Sequence, residues 1–169
     1  MHRRLSFFVV LVTGILLQVT VAPELTIWGV KPDFLLVMTV CVAFLEGPVN
    51  GAFFGFASGF LSDIFSTSLL GVTALAKTAL GFLVGIFQSR VISRSVLWPA
   101  LLCFVASIFH EIIKFLTWKI VGAEGMPPFL FLSVLWLATY NMLLVLAVYP
   151  LLKRILPERD EALVMFNKG

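Results

Sequence analysis

The sequence predicts an all-α polytopic membrane protein, folded as a bundle of six transmembrane helices. Of its 169 residues, 60% are hydrophobic and only 12% are charged, whereas soluble domains contain about 45–50% apolar and about 25% charged residues. The mean hydropathy is +1.07. Six apolar runs, bounded by charged residues, glycine or proline, follow one another along the chain. This composition excludes a water-soluble enzyme.

The six predicted spans occupy most of the chain, at residues 5–22, 34–45, 49–65, 70–87, 96–121 and 129–152. A membrane-spanning helix needs about 20 residues, so we expect the second span to be tilted or partly enclosed by protein. Arg3 and Arg4 before the first apolar run also fit a secretory signal. That run exceeds the usual h-region, however, and Pro23-Glu24 replaces a cleavage site. We expect a transmembrane domain over 1–156 and a short cytoplasmic tail over 157–169.

The distribution of basic residues predicts the orientation, because cytoplasmic loops carry an excess of Lys and Arg. With the N-terminus inside, eight basic residues are cytoplasmic and only Lys31 and Lys119 lie on the outer side of the membrane. The eight are Arg3, Arg4, Arg90, Arg94, Lys153, Arg154, Arg159 and Lys168. We therefore expect both termini in the cytoplasm and the protein in the cell inner membrane. The basic residues are scattered beside apolar runs, so lipid is an expected partner and nucleic acid is not.

Glycines recur at every fourth position along the third span, at Gly47, Gly51, Gly55 and Gly59, and the fourth span carries Gly81 and Gly85. Small residues let membrane helices approach closely, and close packing is what drives their association. Two interpretations fit this pattern. The glycines either pack neighbouring spans of this chain against each other, or they dock the transmembrane helix of a partner.

Asp63 stands one further step of four after Gly59 and is followed by Ser66, Thr67 and Ser68. Side-chain oxygens of Asp, Ser and Thr accept hydrogen bonds from unpaired N–H groups at helix starts. Asp63 is therefore predicted to cap the turn into the fourth helix. A contact with an external partner or ligand is the alternative.

Ionisable side chains also lie within the predicted spans, where they are costly unless paired or facing a cavity. Lys77 lies in the fourth span, and His110, Glu111 and Lys114 lie in the fifth. Glu111 and Lys114 are three residues apart, so an ion pair on one helix is available. Alternatively, Glu111 pairs with Lys77 across helices, or the group lines a polar pocket with Gln18, Tyr140 and Asn141.

The sequence contains no pattern for catalysis, a metal or a cofactor, and we expect none of these. His110-Glu111-Ile112-Ile113-Lys114 has Lys where a zincin motif needs its second His. Neither a phosphate-binding loop nor a G-x-S-x-G nucleophile motif is present. Cys41 and Cys103 fall inside apolar runs without metal-ligand spacing.

Three stretches in the first half of the chain resemble the family of the rod-shape-determining protein MreD. Members of that family show a Pro-Asp start to the second helix, a Gly-Phe-x-x-Gly-x-x-x-Asp stretch and a Leu-Gly pair after it. The corresponding stretches here are Pro32-Asp33-Phe34-Leu35-Leu36, the run from Glu46-Gly47 to Gly55-Phe56-Ala57-Ser58-Gly59-Phe60-Leu61-Ser62-Asp63, and Leu70-Gly71-Val72-Thr73-Ala74-Leu75. The cluster of His110, Glu111 and Lys114 has no counterpart in this pattern.

The resemblance implies a non-enzymatic scaffold subunit of the bacterial cell-elongation complex. Such a subunit binds MreC and supports lateral peptidoglycan synthesis beside RodA, its partner transpeptidase penicillin-binding protein and the actin-like MreB. The resemblance also implies a six-helix fold similar to the substrate-binding subunits of energy-coupling-factor transporters. Vitamin capture by the polar cluster of the fifth span is therefore an alternative function. An ion or proton path through His110, Glu111 and Lys77 is a third hypothesis.

Overall fold

The computed structural model describes residues 2–27, 29–65, 70–88, 95–121 and 131–156. Within these ranges the regular structure is helical, apart from one isolated antiparallel bridge between Ile27 and Val30. The first helix, α1, is α-helical over His2–Leu16, widens into a π-helix over Leu17–Val21 and ends with Ala22–Glu24. The others are α2 (Phe34–Glu46), α3 (Pro48–Phe65), α4 (Val72–Gln88), α5 (Leu97–Val121) and α6 (Phe131–Ile155).

These six helices coincide with the six predicted segments, and no end differs by more than three residues. Three of them, α1, α5 and α6, are long and apolar enough to cross a membrane by length and composition. The shorter apolar helices α2 and α4 do not reach that length. The predicted tail over 157–169 lies outside the described residues.

The core of the bundle is α2, whose thirteen residues are all buried. A helix that is apolar around its whole circumference is buried, either in lipid or among other parts of the protein. Helices α1, α3, α4, α5 and α6 all contact α2. Its short length is therefore explained by enclosure in protein, which is one of the two expectations for the second span.

The outer faces of the surrounding helices are strongly apolar. Large hydrophobic side chains such as Phe53 on α3, Leu75 on α4 and Leu101 on α5 are more than half exposed. Soluble monomers rarely expose contiguous apolar surface on this scale. Lipid is the solvent that such faces fit.

Candidate functional site

The most densely bonded polar region surrounds the start of α2. The carboxylate oxygen Oδ1 of Asp33 accepts a hydrogen bond from the Leu36 backbone N–H at 2.9 Å and so caps the helix. The same oxygen accepts a hydrogen bond from Lys77 Nζ of α4 at 2.9 Å. Lys77 is fully buried, and its Nζ also donates to Ser62 Oγ of α3 at 3.2 Å. The Lys77 ammonium of α4 therefore connects its own helix to the cap of α2 and to α3.

The helices α5 and α6 reach the same point through Asn141. The Asp33 backbone N–H donates to Asn141 Oδ1 at 3.0 Å, and Asn141 Nδ2 donates to Ser107 Oγ at 3.0 Å. Ser107 in turn donates to the Cys103 carbonyl at 2.8 Å on its own helix. Asn141 and Ser107 are completely buried, so these bonds supply the partners that a buried amide and hydroxyl require.

The π-helical turn of α1 supplies the remaining contact. Gln18 lies within this turn. Its Oε1 accepts a hydrogen bond from the Phe34 backbone N–H at 2.8 Å, and its Nε2 donates to the Pro32 carbonyl at 3.4 Å. Each of the six helices thus contributes one residue to a connected network, which we call the polar core: Gln18, Asp33 as the cap of α2, Ser62, Lys77, Ser107 and Asn141.

A second carboxylate, that of Asp63, caps α4 from the end of α3. Its Oδ2 accepts hydrogen bonds from the backbone N–H groups of Gly71 at 2.8 Å and Ala74 at 3.1 Å, and its Oδ1 accepts one from Thr73 at 3.3 Å. These donors lie at the start of α4: Gly71 directly precedes the helix, and Thr73 and Ala74 belong to its first turn, where N–H groups have no partner within the helix. Asp63 therefore connects α3 and α4 at their shared end, as a cap would.

The cluster on α5 is paired within its own helix. Lys114 Nζ donates to Glu111 Oε1 at 2.8 Å, and His110 Nδ1 lies 3.5 Å from the same oxygen. Lys77 contacts Asp33 instead, so the alternative Glu111–Lys77 ion pair is wrong. Within the described part of the chain, the buried Nε2 of His110 has no hydrogen-bond partner.

The residues predicted as an alternative polar pocket do not form one group in the structure. Asn141 and Gln18 belong to the polar core, whereas the Tyr140 hydroxyl donates to the Leu25 carbonyl at 3.1 Å near the end of α1. Among the described residues, no three His, Cys, Asp or Glu side chains are grouped so that they could hold a metal ion.

The glycines of α3 and α4 face each other. A β-carbon at Gly51 would lie 2.6 Å from the Gly81 carbonyl oxygen, and one at Gly59 would lie 2.5 Å from the Ala74 Cα. A β-carbon at Gly55 would overlap the Lys77 carbonyl, and one at Gly85 would overlap Pro48. Gly47 ends α2 with a φ of 87°, a backbone conformation that favours glycine. The structure therefore places the stripe in contacts within this chain.

The roles of Asp33, Ser62 and Ser107 are not among the predictions from the sequence. The role of Asp33 is indicated by its position, because an Asp directly before an apolar helical run is the pattern of an N-cap. No sequence pattern indicates the contacts of Ser62 and Ser107. A single serine in an apolar helix most often bonds its own backbone, and its partner on another helix cannot be read from spacing.

These features define a class of protein, a helical membrane protein whose buried ionisable groups bind to one another inside the bundle. A family model described as the rod shape-determining protein MreD matches residues 1–156. The chain therefore belongs to the MreD family, whose members are membrane-associated and act in rod-shape determination. No curated protein matched the chain, and no solved structure matched it.

Proposed function

We propose that this chain is a non-enzymatic scaffold of the cell-elongation complex, which binds MreC and supports lateral peptidoglycan synthesis. RodA, its partner transpeptidase and MreB are the wider partners. In this proposal all six helices cross the cell inner membrane, with both termini in the cytoplasm. The observation that supports it most directly is the polar core, in which hydrogen bonds between side chains, and from the backbone N–H groups of Asp33 and Phe34 to Asn141 and Gln18, connect all six helices.

A scaffold requires a stable bundle and free outer surfaces. The polar core and the glycine contact between α3 and α4 hold the helices together from within. The glycines therefore already make contacts within the chain, and partner helices would pack on the lipid-facing sides of the bundle instead. Membrane helices associate by shape-matched packing and interhelical hydrogen bonds. An apolar face such as that around Phe53 and Phe56 is therefore sufficient to bind a partner helix, and no catalytic group is needed.

Vitamin capture would require a polar cavity that takes up a small molecule. A cavity of about 180 Å³ lies between the α1–α2 connection and α6, and its lining residues are Ile27, Val30, Trp136, Thr139, Tyr140 and Leu143. Most of the surface that faces this cavity is apolar and provides little to recognise a polar vitamin. A ligand at 100 times its dissociation constant adds about 2.7 kcal/mol of stability. A vitamin screen without thermal stabilisation would therefore argue against capture.

Co-purification tests the proposal. The tagged chain is expressed in a rod-shaped bacterium, extracted in mild detergent and analysed by mass spectrometry with its bound proteins. We expect MreC to be recovered with it, together with RodA and the transpeptidase in part of the material. A tagged unrelated membrane protein of similar size provides the control. Recovery of a transporter's coupling subunit and ATPases, without MreC, would replace the scaffold with vitamin capture.

A further inference from the structure

A groove follows one face of α6 next to the connection between α1 and α2. Its enclosed end is the cavity of about 180 Å³ beside Ile27 and Val30. A shallower depression of about 250 Å³ extends it toward the start of α6 and shares Trp136 and Thr139 with the cavity. We call the two together the α6 groove, and its lining on α6 consists of Leu132, Leu135, Trp136, Thr139, Tyr140 and Leu143.

The wall opposite α6 is fixed by hydrogen bonds within a tight turn. The Ile27 N–H donates to the Val30 carbonyl at 3.1 Å, and the Val30 N–H donates to the Ile27 carbonyl at 2.9 Å. Gly29 lies within this turn at a φ of 78°. The Tyr140 hydroxyl donates to the Leu25 carbonyl at 3.1 Å and so connects α6 to the chain before the turn. The groove is therefore preformed, as binding sites for small molecules usually are.

The lining and the size of the groove favour a hydrocarbon chain. The cavity surface is mostly apolar, and the Thr139 hydroxyl donates to the Leu135 carbonyl of its own helix at 2.8 Å. An apolar cavity of about 150 Å³ is large enough to bind benzene. One turn of a helix, about 10 Å across and about 5.4 Å long, fills about 420 Å³. A row of methylene groups therefore fits into the cavity, whereas a second helix does not.

The length of the groove and one charged neighbour indicate a phospholipid. From Leu132 to Leu143 the lining covers about 16 Å along the helix axis, and one leaflet of a bilayer contributes about 15 Å of hydrocarbon, half of its total. Lys31 directly follows Val30 and is exposed. Within the ranges that the structure describes, no ion pair occupies its ammonium. Lysines beside a membrane surface attract lipid phosphates.

We propose that the α6 groove binds one acyl chain of a phospholipid and that Lys31 binds the phosphate of the same molecule. The bound lipid would fill the space between α6 and the α1–α2 connection and exchange more slowly than the lipid around it. The site requires that α6 lie in the membrane. It is independent of which protein the chain binds.

Tryptophan quenching by a brominated phospholipid tests the site in the purified full chain. Trp136 lines the groove and is 46% exposed, whereas Trp98 on α5 is 44% exposed. Two variants each keep one of these tryptophans and carry Phe at the other tryptophan positions. Phosphatidylethanolamine brominated in its acyl chains is titrated into each variant in detergent micelles. We expect the quenching of Trp136 to saturate once each chain has bound a single lipid, and the quenching of Trp98 to rise in proportion to lipid content.

Substitutions in the Trp136 variant locate the bound chain. Thr139→Phe fills the groove, and Thr117→Phe on α5 is its matched control, because each threonine is partly buried and donates to the carbonyl four residues earlier at 2.8 Å. We expect only Thr139→Phe to abolish the saturable quenching. Lys31→Gln should weaken the lipid affinity about fivefold, while Glu24→Gln at the exposed end of α1 should not weaken it. The Lys31 result does not depend on the folding of Thr139→Phe.

Two results would overturn the site. One is quenching of Trp136 that stays proportional to lipid content, as for Trp98. The other is saturable quenching that persists in Thr139→Phe. A partner helix is the alternative occupant: absence of saturable quenching, with MreC lost from Thr139→Phe but not from Thr117→Phe in co-purification, would assign the groove to a protein. Saturable quenching in a chain that recovers no MreC would support the lipid site and contradict the scaffold.

Discussion

At the residue scale, the most consequential contact is that between Lys77 and Asp33. Lys77 is fully buried in a helix of an apolar bundle, and its ammonium is satisfied by Asp33 and Ser62. A buried ion pair contributes little net stability compared with apolar residues of the same shape, but removing one partner leaves an uncompensated charge. The pair therefore acts mainly by enforcing one arrangement of α2, α3 and α4.

Replacing Lys77→Met should destabilise the bundle by about 3–5 kcal/mol, because Asp33 keeps its charge and loses its counter-ion. Unfolding in detergent, followed by circular dichroism against temperature or denaturant, measures the effect. Adding Asp33→Asn should recover part of the loss. Lys119→Met, at an exposed position near the end of α5, loses a cation–π contact with Phe115 and should change stability by no more than about 1 kcal/mol. Equal unfolding midpoints for the two single variants would contradict the role of the pair.

The cap formed by Asp63 makes a second prediction at this scale. Asp63→Ala removes the acceptor for three backbone N–H groups of α4, and losing a cap costs about 0.5–2 kcal/mol. Asp63→Asn keeps one side-chain oxygen and should lose less. The same unfolding assay measures both variants. If Asn were as damaging as Ala, the negative charge would matter more than the capping geometry.

At the element scale, the contact between α3 and α4 depends on the missing β-carbons of their glycines. The two helices approach so closely that backbone atoms of one meet the positions where side chains of the other would begin. Van der Waals packing of this kind is the main source of helix association in lipid. The two helices are therefore packed against each other along their length, and Asp63 connects the end of α3 to the start of α4.

Gly55→Ala should strongly lower the thermal unfolding midpoint, because the added methyl group overlaps the Lys77 backbone, which cannot move aside. Gly14→Ala is the matched control. Its methyl group would meet the Met38 side chain at 2.6 Å, and a thioether adapts readily. Both substitutions gain about 1 kcal/mol of helix propensity, so their difference isolates packing. Similar midpoints for the two variants would show that α3 and α4 tolerate separation.

The helices could be predicted from the sequence because apolar runs and their polar boundaries are local signals. The contact partners could not. In a membrane protein the lipid-facing side of a helix is as apolar as the side that packs in the bundle. The pattern of apolar residues along α3 therefore does not show which face meets α4. Asp33 and Lys77 are separated by 44 positions, and Glu111 was an equally plausible partner for Lys77 by charge alone. Only the three-dimensional arrangement distinguishes them.

At the scale of the whole molecule, six helices converge on one polar core and present apolar faces outward. Their buried polar groups are largely hydrogen-bonded within the bundle. The MreD family acts in rod-shape determination. Loss of the polar core should therefore impair cell shape through loss of the folded chain. We expect Lys77→Met to reduce both the amount of protein in the membrane and the rescue of rod shape in cells depleted of their own MreD.

Site-specific photo-crosslinking in living cells tests the central claim, that the outer faces of this bundle bind the elongation complex. A photo-reactive amino acid replaces one exposed residue on each of four helices: Val12, Phe53, Leu101 or Leu146. The buried Val145 serves as the control position. We expect at least one exposed position to crosslink to MreC, and we expect no crosslink from Val145. Variants that are folded and restore rod shape, yet crosslink to no elongation protein from any of these faces, would contradict it.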